Sequence, residues 1–516
     1  MSKTPQNINC DEATQARADN IIAFLRRLPP GPQSMPTNPQ VAAYMAELAE
    51  IVRPKAKQPP KGSVGAERVE APSDPSEVID LAAKAKRTPE LSDDRIADAF
   101  AEEHRHDLRY VARRGHWYVW NGKQWREDDT LKAFHLIRKT IKALGIKRAG
   151  MAKMVGAVHT LVRPDRRIAA TIDQWDADPW LLNTPNGIVN LRDGTVRKSD
   201  PSAYCTKITA VGPRGNCPLF LKFLTKIMGG DEALVAYLQR MFGYCLTGDI
   251  SEQAIFFNHG VGQNGKSVLM STVSGILGDY CVATPIETFT ESKNDRHPTE
   301  LARLRGARLV TATETEAGRH WAESRLKELT GGERIAARFM HKDFFEYLPQ
   351  FKPVVNGNHK PRLRSVGVAM RRRLHLNPFT VKISDEERDL QLAVKLKAEW
   401  PGILAWMIDG CLDWQEFGLA PPQAVTKATD AYFAGEDGCA NWIADCCEEV
   451  AGFVTPSTVL FASWKAWAEK AGQTVGNNSQ FREEMERLGV VHRHGRIGNY
   501  YRGLRIRQDP PNSQGW

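Results

Sequence analysis

Residues 254–267 read A-I-F-F-N-H-G-V-G-Q-N-G-K-S. The apolar run Ala254–Phe257 predicts a strand. It leads into a loop where Gly260, Gly265, Lys266 and Ser267 satisfy G-x-x-x-x-G-K-[ST], the spacing of a phosphate-binding loop. A bound oligophosphate accounts for each residue type. Gly260, Gly262 and Gly265, with Asn264, let backbone N–H groups turn inward around an anion. Lys266 brings positive charge to the outer phosphates, and Ser267 offers a hydroxyl to Mg2+. Val268 continues into V-L-M-S-T-V-S-G-I-L at 268–277, apolar at helical spacing. The unpaired N–H groups of a helix N-terminus would then face the anion. Strand, loop and helix in this order predict a nucleoside triphosphate site.

Working outward, apolar runs at 308–313 and 351–355 alternate with helical patterns. They predict a sheet flanked by helices over 248–383. R-L-V-T-A-T-E-T-E at 308–316 ends in Glu314, with Glu316 two residues on. Carboxylates at such a strand end can hold Mg2+ and polarise an attacking water. F-K-P-V-V-N-G-N-H-K-P at 351–361 reaches Asn358, whose amide could touch a terminal phosphate, although Asn-Gly-Asn is turn-prone by itself. M-R-R-R-L at 370–374 is either a solvated basic face or a positive charge offered to a neighbouring subunit.

The flanks are less chemical. Residues 1–90 hold helical patterns at 18–28 and 41–52 and a Pro/Lys/Gly tether at 54–65. Residues 91–247 predict an α+β domain. It has a capped helix at 92–104, a hairpin at 117–125 turning at Asn121-Gly122, another at 187–196 turning at Asp193-Gly194, and two amphipathic helices over 217–247. The aromatics of the first hairpin are read as packing. Residues 384–435 are helical, and 436–516 predict a winged-helix-like domain whose hairpin, 490–507, is basic.

The composition is that of a globular chain: 516 residues, 42% hydrophobic and 25% charged, which excludes disorder throughout. A net charge of +9 favours a polyanionic partner only mildly, because 61 acidic residues dilute 70 basic ones. Nine cysteines form no C-x-x-C pair and no zinc-finger spacing, as expected of reduced thiols in a cytoplasmic protein. Neither a signal-peptide shape nor a membrane-length apolar stretch is present in the sequence, so no membrane is expected as a partner.

Five segments in order carry a resemblance: G-V-G-Q-N-G-K-S, T-E-T-E, L-T-G-G-E-R-I-A-A-R, N-G-N-H-K-P and R-R-R-L-H-L-N-P-F. The chain resembles superfamily 3 helicases, and more closely the helicase part of phage and plasmid primase–helicases with their poxvirus relative. The resemblance runs from about residue 91 to the C-terminus. N-T-P-N-G-I-V-N-L-R-D-G and G-Y-C-L-T-G-D are similar to segments of the family's helicase-associated domain. It implies an AAA+-like P-loop ATPase, usually a hexameric ring, that uses ATP and Mg2+ to move on DNA. Lys266 and Ser267 would then bind phosphate and Mg2+. Glu314 or Glu316 would hold Mg2+ and activate water, and Asn358 would be the sensor. Arg372 or Arg373 would act as a finger across the subunit interface. Lys327 to Arg338 matches the segment that leads into a DNA-contacting hairpin, with its tip near M-H-K-D at 340–343. Arg338, His341 and Lys342 are thus candidates to grip single-stranded DNA, as a positive, sequence-indifferent contact should.

The sequence departs from the family in places. Arg371 stands where the family often has Trp, and Thr315 splits the acidic pair. Full-length relatives carry a primase domain with a D-x-D metal site. Here Asp176-Ala177-Asp178 precedes Pro179-Trp180 and reads as a turn. The expectation is a helicase without primase activity, encoded by a phage, prophage or plasmid-like element. The C-terminal domain could read duplex origin DNA or recruit a primase or polymerase. Two alternatives are an origin-binding initiator that melts duplex with the same ATPase, and a non-DNA remodelling ATPase. A packaging terminase would need a nuclease with clustered acidic residues, which the sequence lacks.

Overall fold

The computed structural model describes residues 92–146, 152–291, 299–314, 318–340, 343–364, 366–495 and 498–507. The chain divides into two units, Met1–Arg87 and Thr88–Trp516, and the architecture here is that of the second. The helices and tether expected over 1–90, and the candidates Glu316, His341 and Lys342, lie outside the described residues.

The unit opens with α1 (Asp93–Glu103), capped by the Ser92 side chain. With α2 (Lys132–Ala143) and α3 (Ala152–Val162) it encloses Ile96, Phe100, Ile137 and Val158. Strands β1 (Leu108–Val111), β2 (His116–Trp120) and β3 (Trp125–Glu127) form an antiparallel meander. The tight turn expected at Asn121-Gly122 is instead a longer loop, since Trp120 pairs with Trp125. Asn121 Oδ1 accepts from the N–H groups of Lys123 and Gln124, both at 2.9 Å, so a side chain closes the turn. Trp117, Tyr118 and Trp125 are buried, as their packing role requires. A second meander holds β4 (Leu181–Thr184), β5 (Gly187–Asn190) and β6 (Val196–Arg197), with Gly194 at positive φ in its turn. Asp176 precedes it in a turn, its carboxylate accepting from the Thr206 N–H at 2.8 Å.

Two helices, α4 (Pro218–Ile227) and α5 (Glu232–Leu246), lead to the central sheet. Its first strand, β7 (Ile255–His259), feeds α6 (Lys266–Leu277). Then come β8 (Cys281–Ala283), β9 (Leu309–Glu314), α7 (Glu323–Thr330) and the hairpin β10 (Ile335–Ala337)–β11 (Phe345–Tyr347). The last strands are β12 (Lys352–Gly357) and β13 (Leu374–Pro378). Among the described residues five parallel strands pair in the order β13-β7-β12-β9-β8. The sequence reading found β7, β9 and β12 but not β8 or β13. The first is very short, and the second interleaves His375 and Asn377 with its leucines. Apolar residues fill both faces: Phe256 and Val354 belong to one core with α5 and α6, Phe257 and Val355 to another with Leu326 and Trp321.

Residues 384–435 pack onto the elements before them. Helix α8 (Trp400–Phe417) joins the core of α5 and α6, and α9 (Gln423–Glu436) covers β13, where Thr429 Oγ1 accepts from the Leu376 N–H at 3.1 Å. A Cβ on Gly410 would stand 2.2 Å from the Gln239 carbonyl oxygen, so α5 and α8 cross with their backbones in contact. Two buried cations dock the carboxyl end of α5 on the amino edge of the sheet. Arg308 donates to the Leu246 carbonyl and Lys352 to the Thr247 carbonyl, each at 2.5 Å. Both oppose the negative end of the helix dipole. Burial pushes the Lys352 ammonium down to about 7.

The C-terminal portion runs α10 (Gly438–Cys446), β14 (Cys447–Pro456), α11 (Ser457–Lys470), α12 (Asn478–Arg487), β15 (His492–Gly495) and β16 (Gly498–Ile506). Its antiparallel sheet has the order β14-β16-β15 over a core of Trp442, Trp464, Phe481 and Tyr501. Sequence reading missed β14 because most of its residues face solvent.

Candidate functional site

The site follows from strand register. Pro378, His259, Gly357 and Glu314 are partners across β13, β7, β12 and β9, so these strands end at one level. The phosphate loop leaves from His259 and Asn358 follows Gly357. Glu314 closes β9 itself. Residues as far apart in sequence as Lys266 and Asn358, 92 positions, are thereby delivered to one carboxyl edge, where open α/β sheets bind ligands at a topological switch. The switch is real here: β7 is flanked by β12 and β13, and the chain leaves it through α6 for the far edge at β8.

The loop is held from two sides. Gly265 has φ 82° and is the N-cap of α6, so no side chain occupies the helix's first turn from that position. A Cβ there would stand 2.6 Å from Ile227 Cγ2, with the Phe223 ring 3.1 Å away, so α4 closes against the loop. On the other side a strap follows β13. The Phe379 carbonyl accepts from Asn264 Nδ2 at 3.3 Å and would block any Cβ on Gly260, while the Ile383 N–H donates to the Gln263 carbonyl at 2.8 Å. Nothing approaches within 4 Å of a Cβ placed on Gly262, so that glycine is not required by protein packing. Val261 is 84% exposed.

Lys266 is 6% exposed and its ammonium is pulled below its ordinary value by burial. Its Nζ donates to the Gly260 carbonyl and, at 3.2 Å, to Asn358 Oδ1. Loop lysine and candidate sensor are therefore in contact. Ser267 is exposed beside it at the start of α6, and Val268 is half-buried. His259, at the strand end, is pushed down to about 4 by burial and then by the positive charges of Lys360 and Lys266, so it is neutral at pH 7.

One row below the edge lies a feature the sequence reading missed. Asn377, Asn258 and Asn356 are register partners on β13, β7 and β12. Asn377 Nδ2 donates to Asn258 Oδ1 at 2.9 Å, and Asn258 Nδ2 donates to Asn356 Oδ1 at 2.8 Å. Each residue alone reads as a turn former, and only parallel pairing assembles them.

The arginines separate. Arg373 is 5% exposed, donating to Thr330 Oγ1 at 3.2 Å and to the Ala369 carbonyl at 2.8 Å. It precedes β13, at the amino edge and not the carboxyl edge of the sheet. Arg372 is exposed, with one contact to Gln253 Oε1 at 3.1 Å, and Arg371 pairs with Asp430 at 2.7 Å. The structure does not bring Arg372 or Arg373 to the phosphate loop of their own chain.

The β10–β11 hairpin begins its tip at Arg338, whose guanidinium lies 4.7 Å over the Phe344 ring. Phe339, Met340 and Phe344 are 45%, 61% and 56% exposed. Sequence reading saw the basic tip and missed its apolar component, which was legible in R-F-M-H-K-D-F-F at 338–345.

Mg2+ fits this donor set. It is commonly held by one or two protein oxygens, substrate phosphates and water, and the edge offers the exposed Ser267 and the strand end at Glu314. Among the described residues no group of three or more His, Cys, Asp or Glu could hold a metal ion by itself.

Residues 97–229 match the family described as D5 N terminal like, and residues 258–373 match a family of unknown function. The chain is 28% identical over 295 residues to the helicase-named protein L207/L206 of Acanthamoeba polyphaga mimivirus, covering 52% of this chain and 31% of that one. It is 26% identical over 269 residues to the helicase-named protein 022R of Frog virus 3, covering 47% and 27%. It thus spans about a third of the length of these curated relatives. The apo C-terminal region of NrS-1 aligns with a TM-score of 0.45 at 10% identity, covering 79% of this chain and 97% of that one. Among the described residues no helix is long and apolar enough to cross a membrane.

Proposed function

We propose that the chain is an ATP-driven DNA helicase of the D5-like superfamily 3 kind, a reading supported by the D5 N terminal like match and the helicase-named viral relatives. The observation that carries the proposal is the common level of Pro378, His259, Gly357 and Glu314, with Lys266 in contact with Asn358. Lys266 would neutralise the outer phosphates, and the N–H groups at the start of α6 would cradle them. Ser267 and Glu314 would hold Mg2+, and Glu314 or Glu316 would orient the attacking water. Asn358, released from Lys266, would report the terminal phosphate. ATP supplies the cleavable phosphoanhydride; the chain supplies position and charge.

Arg372 is the residue we assign to a neighbour's triphosphate in a homo-oligomeric, AAA+-like ring, with Arg373 as its buried anchor. The exposed hairpin tip is our candidate for single-stranded DNA. Arg338 with Lys342 and His341 meets phosphate, and Phe339 and Phe344 offer faces on which bases stack.

The order α10–β14–α11–α12–β15–β16 supports a winged-helix-like C-terminal domain. Its α12 carries Glu483, Glu484 and Glu486, and both of its arginines are in ion pairs, Arg482 with Glu486 and Arg487 with Glu484 and Asp437. That helix is poorly charged for a duplex groove, so the helicase reading is preferred to the origin-reading initiator.

The test is ATP hydrolysis by purified protein with and without single-stranded DNA, followed by strand displacement. Stimulation by DNA and displacement of a strand are expected. Hydrolysis indifferent to DNA would move the assignment to a remodelling ATPase.

A further inference from the structure

The asparagine row has a direction, and a sulfur sets it. Besides Asn258 Oδ1, Asn377 Nδ2 meets Met241 Sδ on α5 at 3.3 Å. A thioether carries no proton and can only accept. The amide nitrogen of Asn377 therefore faces Met241 and Asn258, and its Oδ1 is left buried without a partner. With Asn377 oriented, Asn258 must turn its oxygen toward β13 and its nitrogen toward β12. Asn356 must in turn face its oxygen to Asn258. Asn258 is wholly buried and Asn377 is 1% exposed, so neither amide can reorient toward water. Polar groups buried in a sheet core are costly unless paired. An aliphatic row would be the cheaper way to stabilise this layer.

The consequence falls on Asn356. Its oxygen is committed, so both amide protons belong to the side away from β7. There its register partner is Thr313, the residue before Glu314. Asn356 is only half-buried, unlike the other two, and Asn358 follows it two residues on, in the turn after β12. We propose that Asn356 is a second amide donor to the terminal phosphate of the bound nucleotide, in addition to Asn358. Met241, Asn377 and Asn258 are positioning residues that hold its N–H groups outward. An anionic phosphate oxygen suits two neutral donors whose orientation is fixed in advance. The inference rests on the ATPase reading and adds a residue to that site.

The experiment compares ADP with a non-hydrolysable ATP analogue, both with Mg2+, binding to the full chain. Asn356→Asp keeps the shape and replaces two donors by acceptors. It should weaken the analogue by about tenfold or more while ADP affinity stays within about twofold. Met241→Leu keeps the volume, removes the acceptor, and should cause a smaller loss in the same direction. Thermal melting accompanies each variant; if Asn356→Asp unfolds, Asn356→Ala and Met241→Leu carry the comparison. Equal loss for ADP and analogue, or no loss in folded variants, would overturn the donor role. If the wild-type chain binds neither nucleotide, the ATPase reading fails first and this proposal with it.

Discussion

Lys266 Nζ and Asn358 Oδ1 stand 3.2 Å apart, joining the first residue of α6 to the turn after β12 across the carboxyl edge of the sheet. An ammonium at 6% exposure needs acceptors, and here they are the Gly260 carbonyl and this amide. Lys266→Ala should reduce ATP turnover by about a hundredfold or more, the scale for losing a pre-placed electrostatic contact. Steady-state hydrolysis checks it; turnover near wild type would remove Lys266 from the reaction.

Gly265 should tolerate no side chain. Gly265→Ala must place a methyl at φ 82° within 2.6 Å of Ile227 Cγ2. We expect lower melting temperature together with weakened nucleotide binding, because α4 and the loop would have to separate. Gly262→Ala meets open space and should leave folding unchanged. Melting curves of the pair would expose an error in either expectation.

The two arginines should give opposite phenotypes. Arg373→Ala removes the donor to the Ala369 carbonyl and to the Thr330 hydroxyl, which keeps its own bond to the Leu326 carbonyl, and should cost about 1–3 kcal/mol in urea unfolding. Arg372→Ala should leave stability within about 0.5 kcal/mol and impair ATP turnover in the assembled protein. Mixing Arg372→Ala with Lys266→Ala protein should restore turnover if the arginine acts across an interface; no restoration would place its effect within one chain.

Acid should destabilise the fold through buried imidazoles. Burial pushes His375 down to about 4, and burial with the charges of Lys360 and Lys266 does the same for His259. The unfolded chain takes up these protons near 6.5, the folded chain only near 4. The neutral rings therefore favour the folded state above 6.5, and that advantage is lost as pH falls toward 4. His375→Gln keeps a polar partner for Tyr237 and removes one titration. Its unfolding free energy should fall less steeply across this window; an unchanged slope would mean His375 is not part of the effect.

The hairpin tip should matter to DNA and not to the resting ATPase. Phe339→Ala with Phe344→Ala should weaken single-stranded DNA binding by roughly tenfold or more, the scale of lost base stacking. DNA-free hydrolysis should be unaffected. Fluorescence anisotropy with a labelled oligonucleotide reads the first and a coupled assay the second. Intact binding would exclude stacking at the tip.

The sequence by itself determined the chemistry that is local. Gly260 to Ser267 turn and open a helix, and the run at 254–257 is a strand; all of that lies within one short stretch. It also placed the acidic strand end and Asn358, because each closes an apolar run. Tertiary structure decided what depends on pairing between distant segments. Parallel register levelled Glu314, Asn358 and the phosphate loop, and it assembled Asn377, Asn258 and Asn356, which no periodicity connects. It also distinguished two adjacent arginines, burying Arg373 against Thr330 and leaving Arg372 outside. Sequence spacing fixes which way neighbours point along one strand, but which strands lie side by side is set by how the two faces of the sheet find enough apolar surface to cover them.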